Sequence, residues 1–302
     1  MGIHIYRAVE QESERILRKS FSYFDARHFC IVDDERDVIT KDLRQDVCIE
    51  FKELIELHGF YRKPEKDSIH DFSSASAVFC KLIEEERLHE YFKTYKREVF
   101  LLKDGEKLID AKSQISDELR VFKAGGAFWE VVSAMHGAYR IFDETGTFTE
   151  PATDKQLKYA VRFLDGAWFE EYVYQTLIKS FKNTNFKIDK NWKIKKNGWN
   201  SYFELDVILM NGYQLIGISC TTSNQKHICK NKGFEIIHRT QQIGGEEAKA
   251  VVITRLEPDK KAALQDEIGI DTGGKTNILV LGMEDLKEDR LIREINDFIG
   301  NE

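Results

Sequence analysis

Phe203-Glu204-Leu205-Asp206-Val207, an Asn211-Gly212 turn and Leu215-Ile216-Gly217-Ile218-Ser219-Cys220-Thr221-Thr222 read as strand, turn and strand. Asn-Gly is the dipeptide that type I′ hairpin turns prefer, and the apolar, often β-branched residues on either side favour extended backbone. A second Asn-Gly, at Asn197-Gly198, joins this stretch to residues 186–194, so three strands follow one another in a meander. Upstream, Leu157, Val161, Leu164, Trp168, Tyr172 and Thr176 recur at helical spacing and predict one amphipathic helix over 154–181. Downstream come a polar helix over 225–242, a Gly244-Gly245 break and an apolar strand over 248–254. Residues 258–267, 277–281 and 283–299 add a helix, a strand and a terminal helix. The core order is therefore α-β-β-β-α-β, an α/β class.

The first half of the chain is less regular. Residues 8–24 have helical spacing, 28–32 form a short apolar strand, and 43–58 predict a helix closed by Gly59. From Ser73 a helix carries Glu84-Glu85-Glu86, and residues 99–102 and 107–109 flank Asp104-Gly105, a hairpin signal. A helix followed by a hairpin suggests a winged-helix-like module. A generic α+β linker explains it as well, because no helix rich in Arg, Asn and Gln stands out. Gly125-Gly126, Gly137, Gly146 and Pro151 mark a loop-rich approach to the second half. The expected organisation is a smaller α/β segment over 1–60, the winged-helix-like module and linker over 61–150, and the α-β-β-β-α-β domain over 151–302.

With 302 residues, 42% of them hydrophobic, the chain has material for one large core or two moderate ones. A net charge of -7 argues against a surface coated in positive charge for nonspecific nucleic-acid binding, while leaving room for a local basic strip. No run approaches the roughly 18 apolar residues of a membrane span. Residues 1–19 lack the features of a signal peptide, so the expectation is a cytoplasmic protein with no membrane partner. Cys30, Cys48, Cys80, Cys220 and Cys229 are odd in number and never form a C-x-x-C pair, which suggests reduced thiols and neither a disulfide framework nor a zinc ribbon.

Strand alternation places Glu204 and Asp206 on one face, and Ser219 and Thr221 on one face of the neighbouring strand. Phosphodiester hydrolysis needs carboxylates converging on Mg²⁺ or Mn²⁺, and usually a lysine near the nucleophile. Glu170 and Glu171 on the preceding helix offer a further carboxylate. Gly166-Ala167-Trp168-Phe169-Glu170-Glu171-Tyr172-Val173, Glu204-Leu205-Asp206-Val207, Ile218-Ser219-Cys220-Thr221-Thr222 and Gly244-Gly245 before Ala248-Lys249-Ala250-Val251 together resemble the nuclease domain of the CRISPR ancillary nucleases of type III systems. That resemblance implies a PD-(D/E)xK, restriction-endonuclease-like core, joined to a CARF sensor domain for cyclic oligoadenylates and a winged-helix-like insertion. It also implies a role in antiviral defence, a homodimer, and a metal held by Glu170 and Asp206.

In that family the third strand reads Ile-Glu-Cys-Lys-Thr, so Ser219 stands where a metal ligand is expected and Thr221 where the catalytic lysine is expected. Residues 29–33 through 58–60 resemble only the tail of the sensor, which argues against a complete cyclic-oligoadenylate pocket. Three functions follow. In the first, the site is degenerate, no cofactor is needed, and the fold serves nucleic-acid binding or assembly in phage defence. In the second, the chain is an active DNA or RNA nuclease using Mg²⁺ or Mn²⁺, with groups relocated around Glu170, Asp206 and Glu235 and with Lys226, Lys230 and Lys232 on the same helix as Glu235. In the third, it is an interaction subunit that completes a split sensor. Absence of Glu-x-Lys favours the first over the second. Lys187, Lys190, Lys193, Lys195 and Lys196, interleaved with Trp192 and Trp199, suit neutralisation of a DNA or RNA backbone plus stacking on bases. An exposed hairpin using lysines to deter edge pairing explains the same pattern.

Overall fold

The computed structural model describes residues 22–25, 30–33, 38–42, 48–63, 72–95, 126–139, 159–160, 162–273 and 277–300. Strands β1 (Ser22–Asp25), β2 (Cys30–Asp33) and β3 (Val38–Asp42) make an antiparallel three-stranded sheet. Residues 22–25 are thus strand where helical spacing predicted the end of a helix, because pairing of Ser22 with Asp33 through Asp25 with Cys30 prevails over local periodicity. Next come α1 (Phe51–Leu57), β4 (Phe60–Arg62), α2 (Ser73–Glu84), α3 (Leu88–Thr94) and α4 (Ala127–Tyr139). The hairpin expected around Asp104-Gly105 lies outside the described residues, as does Pro151.

The second half follows the expected order: α5 (Trp168–Ser180), β5 (Lys187–Lys196), β6 (Tyr202–Asn211), β7 (Gln214–Cys220), α6 (Lys226–Gly244) and β8 (Lys249–Ile253), then α7 (Pro258–Asp271), β9 (Ile278–Leu281) and α8 (Glu288–Gly300). One six-stranded sheet runs β4-β5-β6-β7-β8-β9, antiparallel through β7 and parallel beyond it. The second hairpin loop is Gly212-Tyr213, with Asn211 paired to Gln214; only Gly212 takes a left-handed backbone, φ 63. The Asn-Gly signal therefore marks the turn one residue early.

Both faces of the sheet are covered, which is why β8 is buried along its whole length. On one face Val207, Leu209, Ile216, Ile218, Val251 and Ile253 join Phe79 of α2, Tyr91 of α3, Phe128 of α4, Trp168 and Phe169 of α5 and Leu291 of α8 in one core. On the other, Ile208, Met210, Ala250 and Val252 join Phe51 and Ile55 of α1, Ile236 of α6 and Leu264 of α7. Residues expected to lie in leading segments thus build the nuclease-like core. Phe79 stacks on Trp168 with ring centroids 3.9 Å apart, Phe51 meets Trp192 edge-on at 4.6 Å, and β4 pairs with the outer edge of β5. Among the described residues no helix is long and apolar enough to cross a membrane, and Cys48, Cys80, Cys220 and Cys229 are free thiols.

Helix α6 lies directly on β7 because Gly217 has no side chain. A Cβ there would sit 2.1 Å from Cγ2 of Thr240, which is 1% exposed and whose hydroxyl donates to the Ile236 carbonyl. Gly217→Ala is expected to cost about 1–3 kcal/mol in denaturant titration, the usual scale of overpacking. Adding Thr240→Ser, which removes the clashing methyl, should return much of it; a fully stable single variant would show that this helix can lift off the sheet at no cost.

Candidate active site

The paired residues of β6 and β7 run from Asn211↔Gln214 to Val207↔Ile218 and stop there. Beyond Ile218, the Thr221 N–H donates to the Ile253 carbonyl of β8, so β7 follows β8 while β6 departs. The Asp206 carboxylate fills this fork. Its Oδ2 accepts the Cys220 N–H at 2.8 Å and the Ser219 hydroxyl at 3.2 Å. Both β5 and β6 change face at this level. Phe203 and Leu205 belong to the same core as Ile208 and Met210, and Trp192 to the core opposite Ile188. Asn191, at the crossover of β5, has φ 56, a left-handed conformation that asparagine tolerates better than most residues. Glu204 and Asp206 keep their common face, as alternation predicted.

Glu170 arrives from the other side on the first turn of α5. The long helix expected over 154–181 is interrupted by a π-turn at Phe163–Ala167, where Gly166 leaves helical geometry. Side chains take up the carbonyls freed there: Tyr91 donates to the Leu164 carbonyl at 2.9 Å and Thr222 to that of Asp165 at 3.2 Å. Tyr95 also donates to the Asp165 carboxylate at 2.9 Å. These contacts aim the start of α5 at the fork. From α6, Lys232, Glu235, Ile236 and Arg239, at i, i+3, i+4 and i+7, present one face to the same place.

Together with Arg162, Glu170, Glu204, Asp206 and Ser219, that face encloses a cavity of ≈ 250 Å³. This is room for a phosphate group and several waters, each about 30 Å³ in the liquid. Burial pushes the Glu170 carboxyl up to about 8, with the nearby Asp206 charge adding to the rise and Arg162 opposing it. Burial raises Asp206 too, against the pull of the Cys220 N–H, Lys232 and the Ser219 hydroxyl. Two acids raised by burial in one cavity would each gain from a cation placed between them. Lys232 stands 3.4 Å from Glu235, and Arg162 3.8 Å from Glu204.

The donor set is oxygen only. Among the described residues no three His, Cys, Asp or Glu side chains are grouped to hold a metal, so a dedicated all-protein cage is not present there. Mg²⁺ commonly needs only one or two carboxylates with water and substrate phosphate, and Glu170 with Asp206 fit that requirement. His238 pairs with Gln242 on α6, and neither His227 nor His238 lines the cavity.

Of the residues singled out in the sequence, Glu170, Asp206, Ser219 and Glu235 meet in this cavity. Thr221 does not line it; its Oγ1 accepts the Ser223 N–H in the turn leading to α6. Lys190 pairs with Glu171 and covers the Tyr174 ring, leaving its side chain 15% exposed. Lys193 lies opposite Glu204, while Lys195 and Lys196 lie opposite Tyr61 and Phe60 of β4. Arg162 and Arg239 went unnoticed in the sequence. The 3-4 spacing of Lys232, Glu235 and Arg239 is the signal that was there to read.

Residues 157–278 match the family model described as Card1-like, endonuclease domain. No curated protein matches the chain. Among solved structures, Can2 from Sulfobacillus thermosulfidooxidans, determined in complex with cyclic tetra-adenylate, is similar with 18% identity and a TM-score of 0.57, over 91% of this chain and 69% of that one. Protein VC1899 from Vibrio cholerae is similar with 14% identity and a TM-score of 0.55, over 93% and 70%. At such identities the structural likeness shows the fold alone. Together with the family match it supports the resemblance to CRISPR type III ancillary nucleases and the restriction-endonuclease-like core.

Proposed function

We propose that the chain is a metal-dependent nuclease whose catalytic acid and lysine have moved from the third strand to helix α6. One observation carries this: Glu170, Asp206, Lys232 and Glu235 all line one cavity. A divalent cation, when bound there, would supply charge neutralisation at the phosphate and help to activate water. Asp206, held by the Cys220 N–H, and Glu170, aimed by the break before α5, would hold it. Lys232 takes the place left by Thr221, its ammonium offsetting charge that develops on the phosphate, and Glu235, 3.4 Å away, orients it. The Ser219 hydroxyl fixes the Asp206 carboxylate that it donates to.

The substrate is DNA or RNA, guided by a basic strip that starts at Lys193 beside Glu204 and continues through Lys195 and Lys196. Trp199 and Tyr202, 56% and 50% exposed, supply stacking surfaces. Arg62 over the Trp192 ring and Lys63 over the Tyr202 ring extend the positive charge onto β4 and the residue that follows it. Lys190 is committed to Glu171 and takes no part. The setting is cytoplasmic antiviral defence in a homodimer, with a cyclic oligoadenylate as the regulator to try first, because Can2 was determined with one.

The Lys232 side chain is 45% exposed, so Lys232→Met should leave melting unchanged while Mn²⁺-dependent cleavage of labelled oligonucleotides falls about 10²–10⁴-fold, the range of a positioned proton-transfer or charge-offsetting group. A variant that cleaves at the wild-type rate removes α6 from the chemistry. The hydrogen bond from Ser219 to Asp206 supports a second reading, a structural acid in a fold kept for binding. That reading gains if no substrate is cut.

A further inference from the structure

We infer that Arg239 binds a phosphate of the nucleic-acid strand beside the one being cut. Its guanidinium lines the cavity from α6, one turn beyond Glu235. Two contacts and one unpartnered donor describe its state. Its Cζ lies 4.5 Å from the Phe203 ring centroid, and Nη1 donates to Oε1 of Gln242 at 3.2 Å. Its Nε is enclosed by protein and has no acceptor. Among the described residues no carboxylate pairs with Arg239, although Glu235 stands four residues away on the same helix and Glu204 lines the same cavity. Arg162, the other arginine of the cavity, has Glu204 at 3.8 Å.

A guanidinium is always charged, and one whose face rests on an aromatic ring and whose Nη1 is tethered has little freedom left to lose on binding. Nη2 makes no hydrogen bond among the described residues and is not enclosed, so it is the donor left for a phosphate oxygen in a charge-assisted bond. An anion entering the cavity satisfies the charge that no carboxylate among the described residues pairs with. Arg239 is then a binding and positioning group, fixing the strand so that a neighbouring phosphodiester faces Glu170 and Asp206.

This rests on the nuclease reading for the identity of the anion, so the test separates the two. The probe is a fluorescein-labelled single-stranded DNA or RNA oligonucleotide, titrated in EDTA against full-length Asp206→Asn protein with and without Arg239→Gln, over a range of salt. The expected result is a Kd about tenfold higher or more for the double variant, the size of one lost charge-assisted hydrogen bond. The slope of log K against log salt should also fall by about one. Arg239→Lys should restore the salt slope and not the full affinity, which loss of a merely structural stack would not produce. Equal Kd and slope with and without Arg239, or no binding by any protein in the series, overturns the inference. Wild-type protein that cuts nothing in Mn²⁺ while binding still depends on Arg239 overturns the nuclease reading and leaves Arg239 as a phosphate-binding group of a fold that binds without cutting.

Discussion

Asp206→Asn is expected to lower Mn²⁺-dependent cleavage on the order of 10³-fold or more, since a catalytic metal supplies several kcal/mol of charge stabilisation and each 1.36 kcal/mol is tenfold in rate. The fold should survive. Asparagine is nearly isosteric, and its amide oxygen still accepts the Cys220 N–H that holds Asp206 in the fork between β6 and β7. Replacement also removes a carboxyl that burial penalises, so melting in EDTA should stay at or above the wild-type value. Single-turnover cleavage and a melting curve on the same preparation decide it. Cleavage within a few-fold of wild type means that Asp206 is a structural acid.

Glu170→Gln should do two opposite things: abolish cleavage and stabilise the metal-free protein at alkaline pH. Burial, reinforced by Asp206, lifts the Glu170 carboxyl from 4.5 to about 8 in the folded chain. Between those values the folded state holds a proton that the unfolded state has released, so stability falls as pH rises through the window and is greatest below it. The raised Asp206 carboxyl acts in the same direction. In EDTA, wild-type melting should drop by a few degrees from pH 5 to pH 8, while the variant shows a shallower slope and the higher melting temperature at pH 8. Mn²⁺ should raise the wild-type value at pH 8, because a ligand that binds only the folded state stabilises it, and should do little for the variant. A variant less stable than wild type at pH 8 would mean that Glu170 has a favourable partner and is not waiting for a cation.

Much of this was legible in the sequence, and the reasons are specific. Asn-Gly turns and period-2 strands gave the meander, and strand alternation put Glu204 with Asp206. Gly166 sits within a run of residues at helical spacing, so periodicity carried the helix through a point where hydrogen bonds from Tyr91 and Thr222 stabilise a break. Strand β4 joins β5 from more than a hundred residues upstream, a pairing that no local pattern encodes. Ser219 and Thr221 favoured a lost site because Glu-x-Lys is absent from β7, and relocation to Glu235 and the lysines of its helix stood second because no local pattern sets that helix apart. Lys232, Glu235 and Arg239 have the spacing of any solvated helix face, and only the fold brings that face and Asp206 to one cavity.

The most direct measurement is cleavage of labelled single-stranded and duplex DNA and RNA by the wild-type protein in Mn²⁺ and in EDTA, with and without cyclic tetra-adenylate. A relocated site predicts products in Mn²⁺ and none in EDTA. Substrates left intact under every condition, over a range of protein concentrations, would contradict it and leave a nuclease fold that binds without cutting.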